Sequence, residues 1–192
     1  VASLQSAPTA IAVAGSNAYW TGASGTMKCS IGACAPASLG PSGADIAVDG
    51  TSAYWTAAAG PVKCALGGCG GSPTAIATGQ LSAWAIAVDG SNVYWTTLSG
   101  FTVERCGIGG CGNNPTTLAG AQRPYDVAVD STTAYWVDFQ LGTVSACAIA
   151  GCGGKPTVLA SGQSSPASLA VDAKAIYWVD DANPGSVMKL AR

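Results

Sequence analysis

The 192-residue chain carries eight basic and ten acidic side chains, a formal net charge of −2, and no histidine. Only 9% of its residues are charged while 48% are hydrophobic, yet Gly, Ser, Asp and Pro interrupt every apolar run before the ~20 residues that a bilayer span needs. The cations Lys28, Lys63, Arg105, Arg123, Lys155, Lys174, Lys189 and Arg192 are scattered. Scattered cations argue against the clustered phosphate contacts of nucleic-acid binding, and no amphipathic basic helix marks a membrane surface.

Taken in order, the chain repeats itself. A Tyr-Trp pair recurs at Tyr19-Trp20, Tyr54-Trp55, Tyr94-Trp95, Tyr135-Trp136 and Tyr177-Trp178, with spacings of 35, 40, 41 and 42 residues. Ahead of each lies a short apolar run: Ile11-Ala12-Val13, Ile46-Ala47-Val48, Ile86-Ala87-Val88, Val127-Ala128-Val129 and Leu169-Ala170-Val171. A polar turn such as Asp49-Gly50-Thr51-Ser52 separates run from pair, which is a hairpin signature. A glycine turn and a third run follow, as in Gly142-Thr143-Val144, and a fourth run closes the repeat, as in Thr157-Val158-Leu159-Ala160.

Four short strands in about 40 residues, with no sustained 3.6-residue period, is the content of a propeller blade. The expected fold is therefore all-β, a single domain over residues 1–192 built as a five-bladed propeller of four antiparallel strands per blade. The 14 residues after Trp178 and the 20 ending at Trp20 together make nearly one repeat. The expectation is that residues 1–5 complete the last blade, with Val1-Ala2-Ser3-Leu4 pairing with the C-terminal strand to close the ring and remove a sheet edge. Alanine at the middle of every innermost run (Ala12, Ala47, Ala87, Ala128, Ala170) is read as room near a narrow axis, and the Tyr-Trp pairs as core.

Tyr-Trp-Thr and Tyr-Trp-Val-Asp after an Ala-Val-Asp run resemble the YWTD and NHL classes of β-propeller repeat. Only Trp136-Val137-Asp138 and Trp178-Val179-Asp180 carry the aspartate of the YWTD motif, and five units depart from the six blades usual in those families. The paired cysteines are similar to those of secreted bacterial repeat proteins, which implies location more than activity.

The eight cysteines form four pairs of one spacing: Cys29 with Cys34, Cys64 with Cys69, Cys106 with Cys111, and Cys147 with Cys152. Each pair is expected in the turn that joins the third and fourth strands. Local disulfides follow from a repeat-internal spacing across a hairpin, and they place the chain in an oxidising compartment, extracellular or periplasmic. Zinc is disfavoured by the absence of histidine and by the distance between blades.

Without histidine, Ser-His and Cys-His nucleophile systems are excluded, and Glu104, the one glutamate, leaves a glycosidase pair unfilled. No catalytic residue is assigned and no cofactor is expected. Asp49, Asp89, Asp130 and Asp172 end the innermost strands, where they cap turns; the alternative is a carboxylate ring that draws calcium into the axial channel. Departure from the repeat marks the better site. Trp84, Arg123, Tyr125, Asp126, Phe139 and Gln140 fall in loops of blades three and four that should share one face, and grouped aromatic and Arg side chains are typical binding anchors.

These features read as a secreted, monomeric, non-catalytic binding or scaffold module for a protein or peptide. A lectin using the recurring Gln5, Gln80 and Gln163 is the alternative, and an enzyme ranks third.

Overall fold

The computed structural model describes residues 5–80 and 82–192. Every sheet is an antiparallel meander, and each repeat gives one sheet. Blade 1 comprises β1 (Pro8–Ala14), β2 (Asn17–Gly22), β3 (Gly25–Ser30) and β4 (Ala37–Gly40). Blade 2 comprises β5 (Gly43–Val48), β6 (Ser52–Ala57), β7 (Gly60–Ala65) and the two-residue β8 (Thr74–Ala75). Blade 3 holds β9 (Ala83–Val88), β10 (Asn92–Thr97), β11 (Thr102–Gly107) and β12 (Thr116–Gly120), and blade 4 holds β13 (Pro124–Val129), β14 (Thr133–Asp138), β15 (Thr143–Ala148) and β16 (Thr157–Ala160). Blade 5 is a three-stranded sheet of β17 (Pro166–Val171), β18 (Ala175–Asp180) and β19 (Ser186–Ala191). Five such sheets fit a five-bladed propeller; the expected fourth strand of the last blade, Val1–Leu4, lies outside the described residues.

One register recurs in all five blades. The large residue of the innermost run opposes Trp and the central alanine opposes Tyr: Ile46↔Trp55 and Ala47↔Tyr54, Val127↔Trp136 and Ala128↔Tyr135. Because strand side chains alternate between faces, Trp and Tyr leave the sheet on opposite sides. Each of the four joints from blade 1 to blade 5 is therefore made from the Tyr of one blade and the Trp of the next. Tyr19 meets Trp55, Tyr54 meets Trp95, Tyr94 meets Trp136 and Tyr135 meets Trp178, each within one buried cluster. Trp55 and Trp95 are fully buried, and a ring of that size contributes about 4–6 kcal/mol of transfer free energy.

The alanines work at these joints rather than at the axis. Ala12, Ala47, Ala87 and Ala128 each face the cluster that holds their own blade's Tyr, so a small side chain lets the next blade approach. A residue in or just after the outer strand plugs the same seam in three joints, namely Leu39, Ile76 and Leu118, all nearly inaccessible. The two end faces differ. Ile11 on blade 1 is 69% exposed and Val187 on blade 5 is 79% exposed.

The expected disulfides are formed: Cys29 with Cys34, Cys64 with Cys69, Cys106 with Cys111, and Cys147 with Cys152, at Cα separations of 4.9–5.6 Å. Their place in the blade corrects the expectation that both members lie in the turn. Cys29, Cys64, Cys106 and Cys147 belong to the third strands β3, β7, β11 and β15, and only Cys34, Cys69, Cys111 and Cys152 stand in the turns that follow. The cause is the ladder. Cys64 pairs with Ala53 and Cys106 with Val93 in the middle strands, so each extends the third strand by a paired residue before the chain turns. The turn cysteines then fold back onto the joints. Cys69, Cys111 and Cys152 are half-buried against the clusters that hold Cys64, Cys106 and Cys147, so three of the disulfides help to seal the seams between blades. Their loops also receive a basic side chain from the preceding blade. Lys28 donates to the Leu66 and Gly67 carbonyls at 2.7 Å, Lys63 to Ile108 at 2.5 Å, and Arg105 to Ile149.

Candidate functional site

The hairpin aspartates are turn caps. Asp49 Oδ1 accepts the N–H groups of Thr51 and Ser52, while Oδ2 accepts the hydroxyl of Tyr54 at 2.8 Å. Asp89 with Tyr94, Asp130 with Tyr135 and Asp172 with Tyr177 repeat this arrangement. Burial pushes the Asp49, Asp89 and Asp130 carboxyls up, but the converging N–H and O–H donors outweigh it and hold all three below the ordinary carboxylate range. Asp172 is lowered too, chiefly by the N–H groups of Lys174 and Ala175. Tyr54, buried and donating to Asp49, is pushed up to about 12. Among the described residues no group of three or more His, Cys, Asp or Glu is placed to hold a metal ion. The cysteines serve structure alone: Cys69 and Cys111, like the other six, are each consumed in a disulfide, and no free thiol is left for chemistry.

The glutamines proposed as sugar-binding amides are committed to the core tryptophans. The indole N–H of Trp20 donates to Gln5 Oε1 at 3.0 Å, that of Trp95 to Gln80 at 3.3 Å and that of Trp178 to Gln163 at 2.8 Å.

At the opposite end of the innermost strands, Asp138 gathers the irregular loops of blade 4. Its Oδ2 accepts the N–H groups of Gln122 and Arg123, and its Oδ1 those of Gln140 and Leu141. The loop leading into β13 and the β14–β15 turn are thereby held side by side, and Phe139 N–H also donates to the Arg123 carbonyl at 2.9 Å. Gly142 ends the turn at φ +63°, where a Cβ would stand 2.5 Å from the Gln163 carbonyl oxygen, so the turn is seated directly against the segment that leads from β16 into β17.

Four of the six residues singled out from sequence come together in one cluster, although Trp84 stands in β9, and Tyr125 and Asp126 in β13, rather than in the expected loops, because the innermost strands begin at Ala83 and Pro124. Trp84 and Tyr125 have ring centroids 5.7 Å apart, and Tyr125 and Phe139 are 5.1 Å apart. The Arg123 guanidinium lies 5.4 Å from the Tyr125 ring and 5.2 Å from Phe139, within cation–π range of both. Trp84 is 39% exposed, and Phe101 (53%) and Leu141 (49%) project from the neighbouring turns. Gln140 is exposed at the rim and contributes its backbone N–H. Asp126 leaves the cluster and turns inward.

Inward lies an axial cavity of about 430 Å³, touched by all five innermost strands through residues that include Thr9, Asp45, Trp84, Tyr125, Asp126 and Ala167. Asp45 was not picked out from sequence. Its signal was positional: the residue before the large apolar position is Ala10, Ala85 and Ser168 in blades 1, 3 and 5, but Asp45 and Asp126 in blades 2 and 4. Each carboxylate bridges its own strand to the next blade. Asp45 accepts from Ile46 at 2.7 Å and Ile86 at 2.9 Å; Asp126 accepts from Val127 and Leu169 at 2.8 Å and from the Ser168 hydroxyl at 2.9 Å. Burial pushes Asp45 up to about 6 against those two N–H donors, and the charge of Asp126 adds to the rise. Asp126 is raised by burial as well. A larger hollow of about 550 Å³ on blade 1, lined by Ile11, Trp20, Ile31 and the Cys29–Cys34 disulfide among others, includes no charged side chain.

No family model matches the sequence, and no curated protein matches it. Solved structures do. A chain of a nidogen/laminin complex superposes with a TM-score of 0.77 at 21% identity, over 96% of this chain and 75% of that one. A streptogramin B lyase superposes with a TM-score of 0.73 at 12% identity, over 96% and 68%. A catalytically inactive histidine-to-alanine variant of virginiamycin B lyase from Staphylococcus aureus, with quinupristin, gives 0.75 at 12% identity over 99% and 71%. At these identities the likeness establishes the fold. The chain resembles YWTD-type and NHL-like propeller repeats, as the Tyr-Trp motif implied.

Proposed function

We propose that this protein is a secreted, non-catalytic binding module that takes a protein or peptide partner on the loop face of blades 3 and 4. The observation that carries the reading is the cluster of tilted rings Trp84, Tyr125 and Phe139 with Arg123 over the last two, at the exposed end of an otherwise small-residue fold. Large rings with few rotors lose little entropy on binding, and aromatic and Arg side chains dominate interface energetics elsewhere. Two further facts support it. One similar chain comes from a complex of two proteins. The lyase variant that lost a histidine is described as inactive, and this chain has no histidine at all. The four disulfides fit an extracellular or periplasmic setting.

Panning a random peptide-display library against the immobilised protein tests this. Selected peptides should bind the wild type and lose at least about tenfold affinity for Trp84→Ala/Phe139→Ala, a loss of roughly 1.4 kcal/mol or more. Peptides that bind both proteins equally would place recognition elsewhere. Saturable binding on a glycan array would favour the lectin reading instead.

A further inference from the structure

We propose that the axial cavity beside this cluster is a receptor for a primary ammonium group on an alkyl stem, and that its natural occupant is a lysine side chain of the partner. The assignment of the occupant rests on the binding-face reading above; the cavity chemistry does not. The cavity, about 430 Å³, is ample for a lysine side chain, and no Lys or Arg is among the residues that line it. Two carboxylates face it from blades 2 and 4, with the aromatic pair Trp84 and Tyr125 on the wall beside them.

A carboxylate offers about four acceptor positions. The donors around Asp45 are two N–H groups, and those around Asp126 are two N–H groups and one hydroxyl, so both retain acceptor capacity toward the cavity. Burial raises the proton affinity of both carboxyls, and at Asp45 the charge of Asp126 adds a smaller contribution. A bound ammonium would offset that burial cost by pairing with the carboxylates and gain the attraction of the ring faces.

The rest of the lining selects the kind of cation. A calcium ion needs six to eight oxygen ligands. Here the wall beyond the carboxylates includes Ala10, Ala44, Ala85 and Ala167 together with aromatic rings, and its further side-chain oxygens are the Thr9 and Tyr125 hydroxyls. Such a wall suits methylene groups. An ammonium with three donors on a four-carbon stem matches both halves of the cavity.

The test is a titration of the intact protein with Nα-acetyl-lysine methylamide, its norleucine counterpart and its arginine counterpart, followed by tryptophan fluorescence and by the indole N–H resonance of Trp84. The lysine compound should saturate with a dissociation constant on the order of 1 mM, about tenfold or more below that of norleucine and below that of arginine. Asp45→Asn/Asp126→Asn, which keeps one amide oxygen per site for the blade bridges, should lose at least tenfold. Ala167→Lys leaves both carboxylates intact and supplies an internal ammonium; it should abolish binding while remaining folded. Equal binding of lysine and norleucine compounds, or undiminished binding by Ala167→Lys, overturns the proposal. The two readings fail separately. Peptides that require Trp84 but are indifferent to the aspartate substitutions would remove the ammonium receptor and keep the binding face. A lysine-selective cavity in a protein that selects no peptides would do the reverse.

Discussion

The Oδ2 of Asp45 in blade 2 accepts the backbone N–H of Ile86 in blade 3 at 2.9 Å, so one carboxylate joins the innermost strands of two blades. Burial nevertheless holds this group at about 6, above the ~3.9 of an unfolded aspartate. Between those two values the folded state binds the proton more readily, so stability should fall as pH rises from about 4 to about 6 and level off above. Asp126, raised in the same direction, adds to the slope. Urea melts at pH 4.5 and 7.5 should show the wild type more stable at the lower pH, with the difference shrinking in Asp45→Asn. A difference unchanged by the substitution would mean that another group sets the slope.

The turn caps have the opposite sign. Asp49, Asp89, Asp130 and Asp172 sit below their unfolded value, so the stability they give is present above about 4 and is lost as pH falls through their folded values. Asp89→Ala removes the Oδ1 that accepts the Ser91 and Asn92 N–H groups and leaves the Tyr94 hydroxyl, at the edge of the buried joint, without its acceptor. A cost of about 2 kcal/mol follows at pH 7. The same substitution should cost progressively less as pH is lowered below about 4 and through the folded value of the cap.

Each disulfide closes a loop with four residues between the cysteines, which corresponds to about 2 kcal/mol in the chain-entropy picture. Cys64→Ser/Cys69→Ser should lower the unfolding free energy by that amount. It also loosens the loop whose Leu66 and Gly67 carbonyls accept Lys28 from blade 1. A subsequent Lys28→Met change should therefore cost less in the double-serine background than in the wild type, and strict additivity would show the two features to be independent.

The repeat was legible because five copies of Tyr-Trp at one spacing leave little room for another register, and the disulfide pairing was legible because each pair is local to a hairpin. The exact seat of the cysteines was not, because composition does not tell where a strand hands over to its turn: Cys106 still pairs with Val93, while Cys111 lies beyond the ladder. The reason for the central alanines was hidden as well. Whether an innermost-strand side chain faces the axis or the adjacent blade depends on the register of Ala47 against Tyr54, which a single run of residues does not reveal. The aromatic cluster was readable as departure from the repeat, since nothing in blade packing calls for Trp84 or Arg123. Asp45 escaped because its sequence neighbours Ala44 and Ile46 are bland, and its partner Ile86 lies 41 residues away. The glutamines misled for a related reason: their acceptors serve tryptophans 15 residues downstream.

The basic struts between blades give a ranking that distinguishes burial from exposure. Lys63 donates to the Ile108 carbonyl of the next disulfide loop, while blade 4 has Ala146 at the corresponding place. There Arg192 comes back from blade 5, resting over the Tyr135 ring and pairing with Asp130. Both are cations bridging two blades, but their surroundings differ. Lys63 is half-buried and serves a backbone acceptor inside the joint, so Lys63→Met should cost about 1–2 kcal/mol. Arg192 is exposed, and its ion pair is open to screening, so Arg192→Ala should cost less than about 1 kcal/mol. Repeating both measurements in 1 M salt separates the causes: the Arg192 effect should largely vanish because the Debye length falls to about 3 Å, whereas most of the Lys63 effect should persist. If salt erased both equally, the Lys63 contact would be an electrostatic surface pair and not a strut of the joint.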